Sequence, residues 1–203
     1  MEITELIRRG KSELYKTFID GEYVCLLEAE TLYKHKIKVG TKLSESEFAQ
    51  IRKESESLTC KNVAINYVSK SLKTRQQTFD NLKQKGFLIS SINSALDMLE
   101  NYGYINDKYY AEMFTKSKQN SKGILYIKSA LKQKGIKENI INEVLCEYKS
   151  SQQNIELLAE KYLKNKQKNI DTKQKLFRHL LSKGFTYEEV QKIISKIFSE
   201  NIE

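Results

Sequence analysis

Proline is absent from this chain of 203 residues, and glycine occurs only eight times. Proline breaks helices and glycine loosens them, so their scarcity excludes a loop-rich or collagen-like chain and favours long, uninterrupted helices. Cysteine is scarce as well. Cys25, Cys60 and Cys146 are far apart and form no CxxC pair, which excludes a disulfide framework and a zinc site of ordinary spacing. All three are expected to be small buried apolar residues. Long apolar runs are missing: no stretch approaches the roughly 18 residues that a membrane span needs. Met1-Glu2-Ile3-Thr4 lacks the basic start and apolar core of a secretory signal, so the expected compartment is the cytoplasm. The glycines stand alone, without a phosphate-loop or dinucleotide-turn pattern. His35 and His179 have no metal spacing, and nothing marks an activated nucleophile. The reading is a non-enzyme with no metal and no cofactor.

What the chain does have is positive charge. Lysine and arginine number 35 against 26 aspartates and glutamates, a balance that points to an anionic partner. The excess is confined to one region. Residues 1–61 hold eleven basic and eleven acidic side chains, whereas residues 62–203 hold twenty-four and fifteen, which suggests two functional regions. In the first, Ile3–Ile7, Leu14–Ile19 and Tyr23–Leu27 alternate as strands do, and Asp20-Gly21 between the last two is a hairpin signal. A small antiparallel sheet is expected, followed by short helices over Glu28–His35 and Ser44–Leu58. Gly40 marks the turn between them, and Ser44 with Glu47 forms a capping box.

The second region repeats itself. Leu82-Lys83-Gln84-Lys85-Gly86-Phe87, Leu131-Lys132-Gln133-Lys134-Gly135-Ile136 and Leu180-Leu181-Ser182-Lys183-Gly184-Phe185 align, with 49 positions between successive glycines. Ile92, Ile141 and Val190, then Leu96, Leu145 and Ile194, keep the same register downstream as a helical apolar stripe. Upstream, Ala64-x-x-Tyr67, Ala111-x-x-Phe114 and Ala159-x-x-Tyr162 open a matching helix. Each unit therefore reads as helix one, a loop, helix two ending at Lys-Gly, and helix three. Glycine stops helix two because it adopts the left-handed conformation without a Cβ clash, and the preceding lysine complements the negative helix end. Thr74 and Thr172 are expected to cap helix two in the first and third copies, with Gln77 completing a capping box in the first; Gly123 holds that place in the second. The fold expected is mainly α: three tandem three-helix repeats forming an elongated curved array, with a small N-terminal α+β extension containing the antiparallel hairpin or sheet. The boundaries expected are 1–61 for the extension and 62–105, 106–150 and 151–203 for the repeats.

Charge follows the repeat. Tyr67–Leu96 carries five basic residues against only Asp80, Met113–Lys137 contains seven lysines and no acid, and Lys161–Tyr187 contains eight basic residues and one acid; the intervening Asp97–Glu112 and Glu138–Glu160 are acidic. Stacked units would present helix two and the loop before it as a basic ridge. Its residues are Lys70, Lys73, Arg75, Lys83 and Lys85 in the first copy, Lys116, Lys118, Lys122, Lys128, Lys132 and Lys134 in the second, and Lys173, Lys175, Arg178 and Lys183 in the third. Such a ridge could follow a phosphate backbone with strong salt dependence and little regard for base sequence.

One junction is more specific. Leu99-x-x-Tyr102-Gly103-Tyr104-Ile105-Asn106-Asp107-x-x-Tyr110-Ala111-x-x-Phe114, followed by a lone Gly123 and then by Leu131–Ile136, resembles the signature of the RecX family. Asp107 there is the N-cap or first-turn acid of the next helix, and Gly103 stops the previous one. Asp20-Gly21-Glu22-Tyr23 is similar to an N-terminal extension found in part of that family. Where members often carry a basic residue before helix two, this chain has Lys73-Thr74-Arg75; the usual acid after the cap is Gln77, and arginine-rich stretches are mostly lysine. Lysine keeps the charge but loses the planar fork of arginine. The resemblance implies a cytoplasmic regulator of the RecA recombinase, hence of homologous recombination, DNA repair and the SOS response. Such a protein binds the RecA filament on single-stranded DNA and lowers its ATPase and strand-exchange activities. The implied partners are the RecA filament and single-stranded DNA, with double-stranded DNA second, no membrane, and a monomeric regulator. Lys116, Lys118, Lys122, Lys128 and Lys132, the longest purely basic interval, are expected to carry much of the filament affinity. Two other readings use the same residues: a nucleic-acid binder that acts without RecA, and a protein-interaction scaffold.

Overall fold

The computed structural model describes residues 1–146, 148 and 152–199. The chain forms two compact units, Met1–Leu72 with Thr78–Ile105, and Lys73–Gln77 with Asn106–Glu203. Among the described residues the regular structure is a three-stranded sheet, one short helix and three successive helix triples.

The first unit opens with β1 (Ile3–Arg8), β2 (Leu14–Ile19) and β3 (Glu22–Glu28), an antiparallel sheet in the order β1-β2-β3. Asp20 (φ 49°) and Gly21 (φ 89°) make the tight turn between β2 and β3, both left-handed as such a hairpin requires. One face of the sheet buries Ile3, Ile19, Cys25 and Leu27 against Leu32 of α1 (Ala29–Lys34), Ile37, and Phe48 and Ile51 of α2 (Glu45–Val68). The Ser44–Glu47 capping box starts α2 as expected, and Gly40 turns the chain before it (φ 86°). The helix does not stop at Leu58. It runs on to Val68, 24 residues in all, and includes the Ala64-x-x-Tyr67 helix expected to be separate. No proline or glycine interrupts residues 59–63, and the buried Cys60, Ala64 and Val68 continue the apolar stripe. The single helix thus serves two cores. Its first half covers the sheet; its second packs with α3 (Arg75–Gln84) and α4 (Ile89–Asn101) around Leu82, Ile92, Ala95, Leu96, Leu99 and Ile105.

The second unit holds the other two triples. These are α5 (Asp107–Lys118), α6 (Ile124–Gln133) and α7 (Glu138–Cys146), then α8 (Gln152–Leu163), α9 (Ile170–Ser182) and α10 (Tyr187–Ser199). Each triple encloses its own core, around Ala111, Ile127, Leu131, Ile136, Ile141 and Leu145 in one and Ile155, Ala159, Leu176, Leu180, Phe185, Val190, Ile193 and Ile194 in the other. The repeat register is a packing register: Leu82, Leu131 and Leu180 are all fully buried, each stabilising its triple by about 1.5–3 kcal/mol.

Helix ends agree with the sequence at most positions. Thr74 and Gln77 form a reciprocal capping box, each backbone N–H donating to the other's side chain at 3.1 Å. Gly123 is the N-cap of α6. Gly103 (φ 73°) follows α4, with the Tyr104 N–H donating to the Leu99 carbonyl at 2.8 Å. Asn106 caps α5, which leaves Asp107 as first-turn acid. Thr172 does not cap α9. Asn169 does, accepting the Thr172 N–H at 2.8 Å, because a polar side chain three residues earlier takes that amide and brings Thr172 inside the first turn. Cys25 and Cys60 are buried as expected, and burial, helped by nearby Glu56, pushes the Cys60 thiol up to about 11. Cys146 is exposed, since it follows the buried Leu145 at the end of α7 and turns away from that core.

Candidate nucleic-acid interface

The second unit is organised by two seams at which one repeat meets the helix-two start of the repeat before it. In the seam between the second and third triples, the N–H groups of Gly123 and Leu125, at the start of α6, donate to the carbonyls of Lys183 and Gly184, at the end of α9, at 3.0 Å each. The C-terminus of α9 therefore caps the N-terminus of α6, with their dipoles head to tail. There is no room for a side chain in this contact: a Cβ on Gly123 would overlap the Gly184 carbonyl, and one on Gly184 would overlap Tyr126. The other seam is built from equivalent positions. Lys134, the C-cap of α6, accepts the Thr74 hydroxyl at 2.7 Å, and a Cβ on Gly135 would overlap the Gln76 side chain. Asp107 closes this seam by accepting the Arg75 N–H at 2.9 Å. The repeat glycines thus do more than stop a helix.

Cations gather at both seams, and aromatic rings lie beneath them. In the first seam Lys118 and Lys134 converge on one ring, their ammonium groups 5.9 and 5.5 Å from the centroid of Phe114, which stacks with Tyr110 at 6.4 Å. In the second, Lys122 lies 4.2 Å above Tyr126 and Lys166 3.3 Å above Tyr162. His179 stacks on the same Tyr162 with centroids 4.6 Å apart. Partial burial holds the His179 imidazole below its usual pKa, reinforced by the fields of Lys183, Lys166 and Lys122. The three lysines thus add to burial in disfavouring the imidazolium. Among the described residues, none of Lys118, Lys122, Lys134, Lys166 and Lys183 has a carboxylate within salt-bridge distance.

The expected ridge residues divide by surroundings. Lys73, Arg75, Lys118, Lys122, Lys134 and Lys183 lie at the seams and are partly buried. Lys116, Lys132, Lys173, Lys175 and Arg178 are exposed on α5, α6 and α9, with Lys173 near Phe198 at 5.9 Å. Lys128 is met within its own triple by Glu138 and Asn142, both at 3.3 Å. Lys70, Lys83 and Lys85 are exposed in the first unit.

Residues 106–145 match the family description "RecX, second three-helix domain", and residues 150–194 match "RecX, third three-helix domain". A regulatory protein RecX from Clostridium beijerinckii is 32% identical over 203 residues, covering 97% of this chain and 95% of its own length. The chain belongs to the RecX family. A second relative, the regulatory protein RecX of Clostridium perfringens, is 36% identical over 186 residues, with 89% of this chain and 88% of the relative covered. Among solved structures, RecX from Lactobacillus salivarius aligns with a TM-score of 0.64 at 30% identity, over 71% of this chain and 97% of that one. Another RecX crystal structure covers 98% of this chain and 99% of its own at 22% identity, with a TM-score of 0.69, and supports the fold. The RecX domains matched correspond to α5–α7 and α8–α10. RecX is a family of regulatory proteins, and among the described residues no helix is long and apolar enough to cross a membrane.

Sequence reasoning missed Lys166, Tyr126, Tyr162 and His179 as members of this basic interface. A signal was present in the repeat: Ala111-x-x-Phe114-x-x-x-Lys118 and Ala159-x-x-Tyr162-x-x-x-Lys166 share one pattern; i,i+4 spacing within α5 puts Lys118 beside Phe114, while Lys166 follows the end of α8 and reaches Tyr162 from beyond the left-handed Asn165.

Proposed function

We propose that this chain is a regulator of the RecA recombinase that binds the RecA filament on single-stranded DNA and lowers its ATPase and strand-exchange activities. The observation that carries the reading is the end-to-end arrangement of α9, α6 and residues 74–77 in the second unit. It brings Lys118, Lys122, Lys134, Lys166 and Lys183, from successive repeats, to the seams, and among the described residues none of these five has a carboxylate within salt-bridge distance. Repeated cations can track the repeated charges of a phosphate backbone, and several weak contacts on one scaffold add through avidity. Membership of the RecX family supports RecA as the protein partner. On this reading the chain acts as a cytoplasmic monomer, with an extension over 1–61 and repeats over 62–105, 106–150 and 151–203.

The test is RecA ATP hydrolysis on single-stranded DNA while the protein is titrated in, with filament binding measured at matched salt. Inhibition below one molecule per RecA protomer is expected. Salt-sensitive binding to bare DNA with no effect on RecA would replace this reading with a general nucleic-acid binder. Loss of neither ATPase nor filament integrity, and no DNA binding, would leave a scaffold.

A further inference from the structure

We propose that the two seams of the second unit are two copies of one subsite for single-stranded nucleic acid, each taking a phosphodiester on paired lysines beside an aromatic ring. This inference rests on the reading above and says which of the basic residues meet the nucleic acid. It starts from equivalence. Shifting the first seam by 49 positions carries Lys73 onto Lys122 and Lys134 onto Lys183; a shift of 48 carries Phe114 onto Tyr162 and Lys118 onto Lys166. Three lysines and one ring thus recur at each seam. The contact between repeats recurs with them, because the Lys134 and Lys183 carbonyls both accept a hydrogen bond from the helix-two start of the preceding repeat.

The chemistry favours a phosphodiester flanked by a base. The two ammonium groups that share the Phe114 ring repel each other, as do the three whose fields reach His179, and no carboxylate among the described residues pairs with the lysines of the second seam. A π-face can orient a cation but leaves its charge in place. An incoming anion relieves the repulsion and releases its own counterions, which makes it the natural occupant. The half-buried rings beside the cations are the second element by which proteins hold single strands without reading their sequence. A duplex buries its bases and has no use for such rings. The fixed repeat geometry then sets two such subsites one structural repeat apart, as successive contacts along one strand require.

The experiment uses the full chain and a fluorescent oligo(dT), without RecA, with affinity measured across a salt series. Each phosphate contact on a single strand contributes a slope of about 0.7 in log affinity against log salt. Lys118→Gln or Lys166→Gln alone is expected to make the slope shallower by about 0.7, and the double variant by about 1.4. Lys137→Gln with Lys192→Gln, which removes the same charge from the helix-three side of the two triples, keeps the wild-type slope. Lys118→Arg with Lys166→Arg restores it, and the circular-dichroism melt of every variant is checked against the parent. If the seam double variant behaves as the helix-three control, the seams are not the subsites, while RecA inhibition by the parent still upholds the filament reading. If the double variant keeps its oligo(dT) affinity but no longer inhibits RecA, the seams bind an acidic protein surface and the inference fails. A parent protein that inhibits RecA yet shows no salt-dependent oligo(dT) binding overturns it as well.

Discussion

The sheet region and the second unit handle positive charge in opposite ways. Around the sheet cations meet carboxylates: Arg8 pairs with Glu13 at 2.5 Å, Lys42 with Glu2 at 3.8 Å, and Lys34 and His35 both reach Glu54. In the second unit carboxylate pairs also occur, but between helices of a single triple, as in Lys108–Glu143 and Lys196–Glu156. At the seams Lys118, Lys122, Lys134 and Lys166 lie over rings instead. A carboxylate cancels a charge, whereas a ring only positions it. The contrast teaches that net charge alone does not locate a binding surface; what matters is where the fold leaves cations without an internal counter-ion.

The largest expected effect comes from breaking the seam itself. Gly184→Ala forces a left-handed backbone (φ 87°) and pushes a Cβ into Tyr126, so urea unfolding should show a loss of about 3 kcal/mol or more. Gly86→Ala is the matched comparison. Gly86 has the same backbone conformation (φ 84°) but open space around its Cβ within its own unit, and the cost there should be strain alone, about 1–2 kcal/mol. Equal losses at the two positions would mean that the seam contact contributes nothing. Gly123→Thr sharpens the point, because Gly123 has an ordinary φ of −80° and threonine stands at the equivalent Thr74. By capping preference alone the change is near neutral. Overlap with the Gly184 carbonyl makes it destabilising by about 2–3 kcal/mol.

Thr74→Ala follows at about 1–2 kcal/mol, since it removes both the cap on Gln77 and the hydroxyl donated to Lys134. Thr74→Ser keeps both and should recover most of the loss in the same unfolding assay. If alanine is as stable as serine, the first seam is held by something other than this hydroxyl.

These glycines also show how far the sequence could be read. The hairpin at Asp20-Gly21, the triple register of Leu82, Leu131 and Leu180, and the Ser44 and Thr74 caps were legible because each depends on residues close in the chain or on an exact repeat. The continuity of α2 was legible in principle, as residues 59–63 contain no breaker, but the repeat pattern suggested a new helix at Ala64. The seams were hidden. Gly123 reads as a tolerable cap until the Gly184 carbonyl, 61 positions later, is found against it. The lysines named from sequence formed a ridge by charge alone, and only packing separates Lys128, answered by Glu138, from Lys122, which faces a ring.

In the sheet region the expected effects are smaller. Lys34 and His35 hold the Glu54 carboxyl below its ordinary pKa. That contribution is present above the unfolded carboxylate value, about 4.3, and is lost as pH falls through the lower folded value. Glu54 is open to solvent screening, so Glu54→Gln should cost no more than about 0.5 kcal/mol at pH 7 and low salt. The difference from the parent should vanish in about 1 M salt. A loss that persists there would place this ion pair among the stronger buried ones and blur the contrast with the seams.

The smallest effect is a pH dependence, and it distinguishes one seam from the other. His179 is held below the ordinary histidine value of about 6.5 by partial burial and by Lys183, Lys166 and Lys122. The unfolded chain therefore takes up this proton at higher pH than the folded one. Stability is complete above that value and declines as pH falls from it to the folded pKa, below which it is flat. An anion seated among the lysines reverses the field at the imidazole and raises its pKa, so oligo(dT) should bind more tightly at pH 5.5 than at pH 7.5. Tyr162 packs on the ring, and the nearby acid is Glu189, whose charge acts on Tyr148, the residue whose hydroxyl donates to the Lys122 carbonyl. Ala130 holds the equivalent place in the first seam, 49 positions earlier. The acid-side gain should consequently survive Lys118→Gln and disappear in His179→Gln, read by oligo(dT) titration together with the His179 ring-proton shift in NMR. A ring-proton pKa that does not move when oligo(dT) binds would mean that no phosphate sits in the second seam, and the two seams would no longer be equivalent in function.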